Sequence, residues 1–273
     1  MWKFLSFIAS LGLLIGTVVS LPGCSCIPKA SVVLAGSTSV QPFAEILAEA
    51  YMLIHPDVTI DIQGGGSAAG IMAAQTGTAN IGMSSRALTD QEKDLWFVEI
   101  ARDGLAIILN PANTITNLTM KQVRDIYSGA SSDWSSLGGS VKKIHVITRE
   151  DGSGTRSAFE SLVMGKTQIT SKAIVQNSNG AVRQLVASDP NAIGFISLGL
   201  IDTTIKGVKL DGIAASRANI VNGTYGLSRP FIFLAPSQPN GIAKDFIDFT
   251  LSSEGMRILE TEGLITAQEG PAK

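Results

Sequence analysis

The sequence predicts an α/β fold in which two lobes enclose a ligand cleft. Apolar runs typical of buried strands alternate with helical patterns, as expected for a largely parallel sheet. At four places a strand run breaks through glycine, serine or threonine before a helix begins. In open α/β sheets, ligands bind at these carboxyl ends of strands. Irregular segments at 110–117 and 222–226 predict two crossings between lobes, an arrangement suited to closing on a ligand.

The most informative break is the stretch from Arg149 to Arg156, which reads REDGSGTR. It follows the strand run 144–148 and precedes a helical pattern over 157–163. A helix start leaves backbone N–H groups unpaired, and Ser153, Thr155 and Arg149 add hydroxyl donors and a cation. These groups are typical of an oxyanion site. For this stretch alone, a simpler interpretation is that Ser153 caps the helix and Asp151 shapes the turn.

The functional interpretation depends on the recurrence of the same pattern. Three further breaks, each after an apolar strand run, are Gly36–Ser39, Gly64–Ser67 and Gly82–Arg86. Each places small hydroxyl residues at a strand end. The helices expected after these breaks span 42–51, 68–75 and 90–97.

The remaining strand and helix patterns assign the rest of the chain to two lobes. Lobe I is expected to comprise residues 31–109 and 226–273, and lobe II residues 110–225. Trp134 and Leu137 lie in a loop rich in serine and glycine, and we expect them to pack onto a surface. Further strands are expected at 105–109, 173–175, 192–196, 208–210 and 230–235, and further helices at 118–128 with Thr119 as N-cap, 180–187, 241–251 and 253–262.

Composition and the N-terminus restrict the class of protein. With 45% apolar and 16% charged residues, the chain can build a large core. A net charge of −2 argues against nucleic-acid binding and implies that local donors hold any anion. Residues 1–23 are expected to be a signal peptide, and Leu21-Pro22-Gly23-Cys24 resembles a bacterial lipoprotein signal in which Cys24 receives lipid. The alternative is an uncleaved membrane anchor. Both place the remaining chain outside the cytoplasmic membrane.

Four motifs together resemble the PstS family, the phosphate-binding proteins of ABC transporters. They are GSTS at 36–39, GGGS at 64–67, IGMSSR at 81–86 and REDGSGT at 149–155, and LSRP at 227–230 resembles the family's return strand. The resemblance implies a two-lobed type II periplasmic-binding-protein fold with phosphate in the cleft. It also implies a membrane permease and an ATPase as partners, with membrane lipid bound through Cys24. We expect a monomer that needs neither metal nor cofactor.

Position by position, the resemblance implies a set of phosphate ligands. Asp151 would pair with Arg149 to orient its guanidinium, and Arg86 would either add charge to the site or form a surface ion pair. The residues expected to contact phosphate are Thr38, Ser39, Ser67, Ser85, Arg149, Ser153, Gly154 and Thr155.

Three alternatives remain at this point. Ser85 stands where many relatives carry an aspartate that rejects sulfate, so sulfate or molybdate is a second candidate ligand. A hydrolase would need an activated nucleophile beside a base, but the chain has two histidines and no Gly-x-Ser-x-Gly elbow around Ser153. A nucleotide-binding enzyme is the third alternative. Gly165-Lys166-Thr167 resembles the end of a P-loop, but Glu160 stands where that motif needs its first glycine, and Gly64-x-Gly66 matches the dinucleotide-binding pattern only loosely.

Overall fold

A computed structural model describes residues 30–266, so the predicted signal peptide and Cys24 lie outside the described residues. Strands β1 to β11 are Ala30–Gly36, Val58–Gly64, Ile81–Ser84, Trp96–Leu109, Asn117–Leu118, His145–Arg149, Ile174–Gln176, Ala192–Ser197, Lys206–Gly207, Lys209–Leu210 and Ser228–Ala235. Helices α1 to α8 are Gln41–Ile54, Ser67–Thr76, Met120–Ser128, Gly154–Phe159, Asn179–Ser188, Arg217–Val221, Gly241–Leu251 and Ser253–Thr261. The mixed α/β prediction is confirmed.

One mixed sheet runs through the described chain in the order β2-β1-β3-β11-β4-β8-β6-β7, with β9 added to β4. Strand β1 pairs in parallel with β2 and β3, and the register sets Gly36 opposite both Gly64 and Met83. The carboxyl ends of these three strands therefore meet at one edge of the sheet. Strand β6 is likewise parallel to β7 and β8. The predicted breaks are thus collected at strand ends that face the same region.

Strand β4 connects two hydrophobic cores. Its first part, Trp96–Gly104, pairs with β11, and its second part, Leu105–Leu109, pairs with β8. Ile100 belongs to a core formed with α1, α7 and α8, whereas Leu105 belongs to a core formed with α3 and β6. The change of core thus falls near Gly104, inside a continuous strand and before the segment 110–117 in which we expected the crossing. The return passage is at Leu227, whose carbonyl accepts the Leu105 N–H at 2.8 Å.

The helix predicted over residues 90–97 is wrong. A capping box of Thr89 and Glu92 closes a single 3-10 turn, and β4 begins at Trp96. Exposed and half-buried residues alternate from Trp96 to Glu99, as in a strand with one face towards the core. Pairing with β11 therefore outweighs the local helical pattern. Across residues 30–266, no helix combines the length and apolar character needed to cross a membrane.

Candidate functional site

Hydroxyl groups from the four predicted breaks form two pairs at hydrogen-bonding distance, and one of these pairs joins the two cores. Ser39 Oγ is 2.8 Å from Thr155 Oγ1, although the two residues are 116 positions apart. Ser67 Oγ is 3.4 Å from Ser85 Oγ and accepts the Ser85 backbone N–H at 3.0 Å. Ser39, Ser67 and Ser85 are fully buried, and Thr155 is 1% exposed. The structure therefore brings these predicted residues into one buried polar cluster.

Arg149 supplies the cation of this cluster from the end of β6. Its Nη2 donates to Thr38 Oγ1 at 3.2 Å, and the residue is 1% exposed. Its Nε and Nη2 each donate to Glu150 at 2.8 Å. Within residues 30–266, Arg149 Nη1 is buried and has no hydrogen-bond partner. A buried guanidinium donor without a partner calls for an acceptor.

The expected pairing of Asp151 with Arg149 is wrong. Glu150 orients Arg149, while Asp151 is 93% exposed and pairs with Arg156 at 2.6 Å. The backbone explains the difference, because the chain turns sharply at Gly152, where φ is +84°. Asp151 stands in that turn and points outward. Glu150, the residue next to Arg149 in the chain, stays at the end of the strand.

Ser153 and Gly154 form the start of α4. Ser153 is 1% exposed, and its Oγ accepts the Arg156 N–H at 3.3 Å. Ser153 therefore caps the helix, as the simpler interpretation of the sequence predicted. Gly154 packs so closely that a Cβ placed on it would lie 2.2 Å from Ser67 Oγ and 2.6 Å from Ser85 Oγ. Beside it, the Ala68 N–H donates to the Gly152 carbonyl at 3.0 Å. Elements of the two cores are therefore in direct contact at this point.

A second arginine, Arg229, reaches the same cluster and was missed from the sequence. It lies in β11, is 2% exposed, and donates through Nε and Nη2 to Asp103 at 3.0 and 2.9 Å. Its Nη2 also donates to Ser39 Oγ at 3.0 Å, and its Nη1 donates to Ser85 Oγ at 3.4 Å. Ser197 Oγ donates to the other oxygen of Asp103 at 2.8 Å. Arg229 thus contacts two of the predicted site residues.

Two cations share this buried region. Burial lowers the pKa of Arg229, and the charge of Arg149 acts in the same direction although Asp103 opposes it. Burial likewise raises the pKa of the Asp103 carboxyl, against the effect of Arg229. A bound anion would lower the electrostatic cost of bringing the two guanidinium groups together.

Asn179, the first residue of α5, is the other group that sequence reasoning missed. It is 1% exposed, and its Nδ2 donates to Ser39 Oγ at 2.8 Å and to Thr38 Oγ1 at 3.4 Å. From the sequence, we expected a helix over residues 180–187 and assigned no ligand to the segment before it. Ser178 is the cap, since its Oγ accepts the Ala181 N–H. The signal that could have identified Asn179 is a fifth strand end, at β7, followed by small polar residues and a helix.

Arg86 lies beside the cluster as part of an ion pair. Its Nη1 and Nη2 donate to the two carboxylate oxygens of Glu92 at 2.7 and 2.8 Å. Both side chains are mostly buried, with 16% and 17% exposure. Of the two roles considered for Arg86, the structure therefore shows the ion pair, although that pair is largely sheltered from solvent.

This pair makes a testable contribution to stability. The hydrogen bonds from Arg86 lower the pKa of Glu92 from 4.5 to about 2. A carboxyl with a depressed folded-state pKa stabilises the protein above its ordinary pKa, and this stabilisation is lost as the pH falls towards 2. Because water screens part of the effect, we expect Glu92→Gln to lower the free energy of unfolding by about 1 kcal/mol at neutral pH. Urea titrations at pH values from neutral to acid measure this.

The variant should also lose the dependence on acid pH that Glu92 contributes. A suitable control is Glu254→Gln, because Glu254 is 56% exposed and pairs with Arg257 on the surface. An exposed pair contributes little, so the control should unfold like the wild type. Equal unfolding free energies for Glu92→Gln and the wild type across this pH range would contradict the assignment.

The described residues contain no group of three or more His, Cys, Asp or Glu side chains that could hold a metal ion. The histidines lie elsewhere: the ring of His55 is 4.3 Å from that of Tyr51, and His145 pairs with Asp189. The hydrogen-bond donors of the polar cluster are hydroxyl, amide and guanidinium groups, and the carboxylates of Glu150 and Asp103 pair with the two arginines. Such donors are suited to binding an anion by hydrogen bonds.

Comparison with known proteins identifies the family of this chain. The family model of the PBP superfamily domain matches residues 27–254. The phosphate-binding protein PstS of Pseudomonas aeruginosa is 30% identical over 262 residues, covering 84% of this chain and 81% of the relative. The chain belongs to the PstS family within the PBP superfamily.

Solved structures of similar proteins agree with this PstS-family assignment. A phosphate ABC transporter substrate-binding protein from Clostridium perfringens, crystallised with bound phosphate, is 42% identical with a TM-score of 0.84 and covers 87% of this chain and 99% of its own. An ABC-type phosphate transport receptor from Vibrio cholerae is 39% identical with a TM-score of 0.72 and covers 87% of this chain and all of its own, 100%. The type II periplasmic-binding-protein fold predicted from the sequence is confirmed.

Proposed function

We propose that this protein binds inorganic phosphate in the buried polar cluster and delivers it to an ABC-type importer. The observation that carries the proposal is the pair of buried arginines beside convergent hydroxyl groups, with Arg149 Nη1 lacking a partner in the described chain. Two relatives, at 42% and 39% identity, are named for phosphate transport. The protein is a substrate-binding protein and not an enzyme.

The phosphate ligands in this proposal are the residues that the structure gathers around Arg149. Two groups are added to the predicted set, because Arg229 and Asn179 donate to hydroxyls within it. Arg149 contributes the strongest contact, since hydrogen bonds from a cation to an oxyanion are about twice as strong as neutral ones. The full proposed set is Thr38, Ser39, Ser67, Ser85, Arg149, Ser153, Gly154 and Thr155, with Arg229 and Asn179 beside them.

The two hydrophobic cores correspond, in our proposal, to two lobes that close on the ligand. The residues that join them are Gly104 to Leu105 and Leu227 to Ser228, where β4 and β11 pass from one core to the other. The contacts of Ser39 with Thr155 and of Ala68 with Gly152 cross between the cores. They would form when the lobes close and break when the lobes open, which would admit and release the anion.

Calorimetric titration of the full-length protein, purified in detergent, tests the proposed function. Phosphate has few heavy atoms, and the best small ligands gain about 1.5 kcal/mol per atom, which allows about 7–8 kcal/mol. We therefore expect one phosphate per chain with a dissociation constant near 1 μM, about the value that this energy corresponds to. A hundredfold excess of phosphate over this constant should stabilise the fold by about 2.7 kcal/mol. Folded protein that shows neither heat nor stabilisation would refute the proposal.

We propose further that the protein acts outside the cytoplasmic membrane as a monomeric lipoprotein, anchored by lipid on Cys24, with the permease and ATPase of an importer as partners. The proposal rests on the leader sequence, which lies outside the described residues. Cys24→Ser should move the protein from the membrane fraction to the soluble extracytoplasmic fraction of a bacterial host. Immunoblotting of the fractions measures this, with Cys26→Ser as the matched control. Continued membrane retention of Cys24→Ser would indicate the uncleaved anchor instead.

A further inference from the structure

The last two residues of α1 form an exposed apolar tip. Leu53 and Ile54 are 84% and 63% exposed, and we call this pair the α1 tip. Leu53 lies on the solvent face of the helix, four residues after the exposed Glu49, where a polar side chain is expected. Ile54 continues the buried stripe of Leu47 and Tyr51 beyond the end of the core. Neither side chain is placed there by packing of the core.

An aromatic cluster holds the α1 tip in a fixed position. The ring of Tyr51, which is 4% exposed, lies 4.3 Å from that of His55, 5.4 Å from that of Phe249 and 5.6 Å from that of Phe246. The His55 N–H donates to the Tyr51 carbonyl at 3.0 Å, and the Val58 N–H donates to the His55 carbonyl at 3.0 Å. The exposure of the tip is therefore a feature of the folded chain and not of a frayed helix end.

The tip lies at the end of lobe I that is remote from the buried polar cluster. Helix α1 begins soon after Ser39, and its 14 residues, at about 1.5 Å each, place its last residue about 20 Å away. Strands β1 and β2 end side by side at the cluster and begin at the opposite end, where Ala30 pairs with Val58. Val58 follows Ile54 by four residues. Ala30 and the tip therefore share one end of the lobe.

The chain that precedes Ala30 leads to the expected membrane anchor. Lipid on Cys24 would leave residues 24–29 between the acyl chain and Ala30, and a segment of this length reaches about 20 Å when extended. An uncleaved anchor that ends at Leu21 would leave residues 22–29, which reach less than about 30 Å. Both interpretations of the leader thus bring the membrane close to the end of lobe I that carries the tip.

Charge determines which kind of membrane contact each lobe can make. Residues 30–109 and 226–266 carry six basic and fourteen acidic side chains, a balance of −8, whereas residues 110–225 carry twelve basic and eight acidic ones, a balance of +4. An anionic bilayer would attract lobe II and repel lobe I. A contact through the α1 tip must therefore be apolar, and salt should not weaken it. A contact through lobe II would be electrostatic and would weaken in salt.

We propose that Leu53 and Ile54 insert into the interfacial layer of the membrane beside the N-terminal anchor. This inference goes beyond phosphate binding and rests on the proposed membrane anchorage. A single attachment leaves the orientation of a tethered protein open, and a second apolar contact restricts it and strengthens the binding. Lobe I would then be held against the bilayer with the buried polar cluster about 20 Å from the tip, while lobe II stays free to close on the anion.

Photolabelling of the full-length protein in vesicles tests the proposal. The protein is reconstituted into vesicles of phosphatidylcholine and phosphatidylglycerol that contain a phospholipid with a photoactivatable group at the boundary of headgroup and acyl chain. After illumination, mass spectrometry maps the labelled peptides. We expect peptides that cover residues 50–58 to carry at least about fivefold more label than those that cover 139–145, because side chains buried about 5–10 Å into this boundary contact the probe.

The segment 139–145 is a demanding control for exposure. It contains Val141, which is 81% exposed, as well as the exposed Lys142 and Lys143, but it lies in lobe II. The labelling ratio should be the same at about 0.1 M and about 1 M salt, although the Debye length falls from about 10 Å to about 3 Å. A ratio that is independent of salt identifies an apolar contact.

A double variant assigns the label to the tip itself. Leu53→Gln with Ile54→Gln should lower the label on residues 50–58 by about fivefold or more, since polar side chains no longer favour burial at this boundary. Phosphate affinity should stay at the wild-type value, because the tip is remote from the cluster, and this also shows that the variant is folded. Met72→Gln is the matched control, since Met72 is 64% exposed but lies on α2. It should be labelled like the wild type.

The outcomes separate this inference from the proposals on which it rests. Label on residues 22–36 without label on 50–58 would overturn the inference and leave the membrane anchorage intact. Label that moves to 139–145 at low salt would place lobe II on the membrane and would also overturn it. Protein that does not associate with the vesicles would refute the anchorage together with the inference. Calorimetry with phosphate on the same sample tests the proposed function independently of all three.

Discussion

Arg149→Ala is expected to weaken phosphate binding by at least about thirtyfold and to leave the protein folded. Truncating one member of a buried, hydrogen-bonded charge pair costs about 2–5 kcal/mol of binding, which corresponds to a loss of affinity of about thirtyfold to several thousandfold. The fold should persist, because Arg149 lies outside the hydrophobic cores and its partner Glu150 is 28% exposed and can be hydrated. Calorimetry gives the affinity and circular dichroism the folded state.

Two further variants sharpen the test of Arg149. Arg149→Lys keeps the charge but cannot bind Glu150, Thr38 and an oxyanion through one planar fork, so its affinity should lie between wild type and Arg149→Ala. Arg257→Ala is the matched control, because Arg257 is 65% exposed and pairs only with Glu254 among the residues of the described chain. Wild-type affinity in Arg149→Ala would show that the anion binds elsewhere.

The site could be predicted from the sequence where local rules determine it. Glycine and serine at the ends of apolar runs mark strand ends, and parallel pairing then collects them at one edge of the sheet. This logic correctly brought together Ser39, Ser67, Ser85 and Thr155, which lie up to 116 residues apart. The same local signal predicted Thr119 as an N-cap, and its side chain accepts the Gln122 N–H.

The pairing register of β11 and β4 determines a contact that the sequence could not predict. Arg229 lies in a strand without a glycine break, and it reaches the cluster because the antiparallel register of β11 and β4 sets it opposite Asp103. A signal did exist, since Arg229 and Asp103 each adjoin an apolar strand run, and charges that become buried need a partner. Finding the pair requires the strand order, which the sequence does not specify.

The sequence also could not predict which of two adjacent side chains points towards the site. Arg149 is followed by two acids, Glu150 and Asp151, and only the turn at Gly152 determines which of them faces the guanidinium. Trp96 and its neighbours were assigned to a helix because β4 is recognisable only through its pairing with β11. The first error arises from the local turn at Gly152, and the second arises where non-local strand pairing outweighs local preference.

Gly154→Ala should impair phosphate binding as severely as the loss of a charged ligand, although it removes no polar group. The added Cβ would lie 2.2 Å from Ser67 Oγ and 2.6 Å from Ser85 Oγ, and both serines are fully buried. Either the two hydroxyls move away from the ligand or the cores stay apart, and both outcomes remove donors from the anion. Two or more lost hydrogen bonds to a charged ligand, at about 1.5–3 kcal/mol each, predict a weakening of at least a hundredfold.

Small-angle scattering separates these two outcomes, because phosphate should compact the wild type and leave Gly154→Ala extended if the lobes cannot close. Gly226→Ala is the matched control, since a Cβ at Gly226 would meet no atom within 4 Å and its backbone is outside the left-handed region. The control should bind and compact like the wild type. If Gly154→Ala also did so, the close approach of Gly154 to Ser67 and Ser85 could not belong to the phosphate-bound state, and the proposed closure of the lobes around the anion would have to be abandoned.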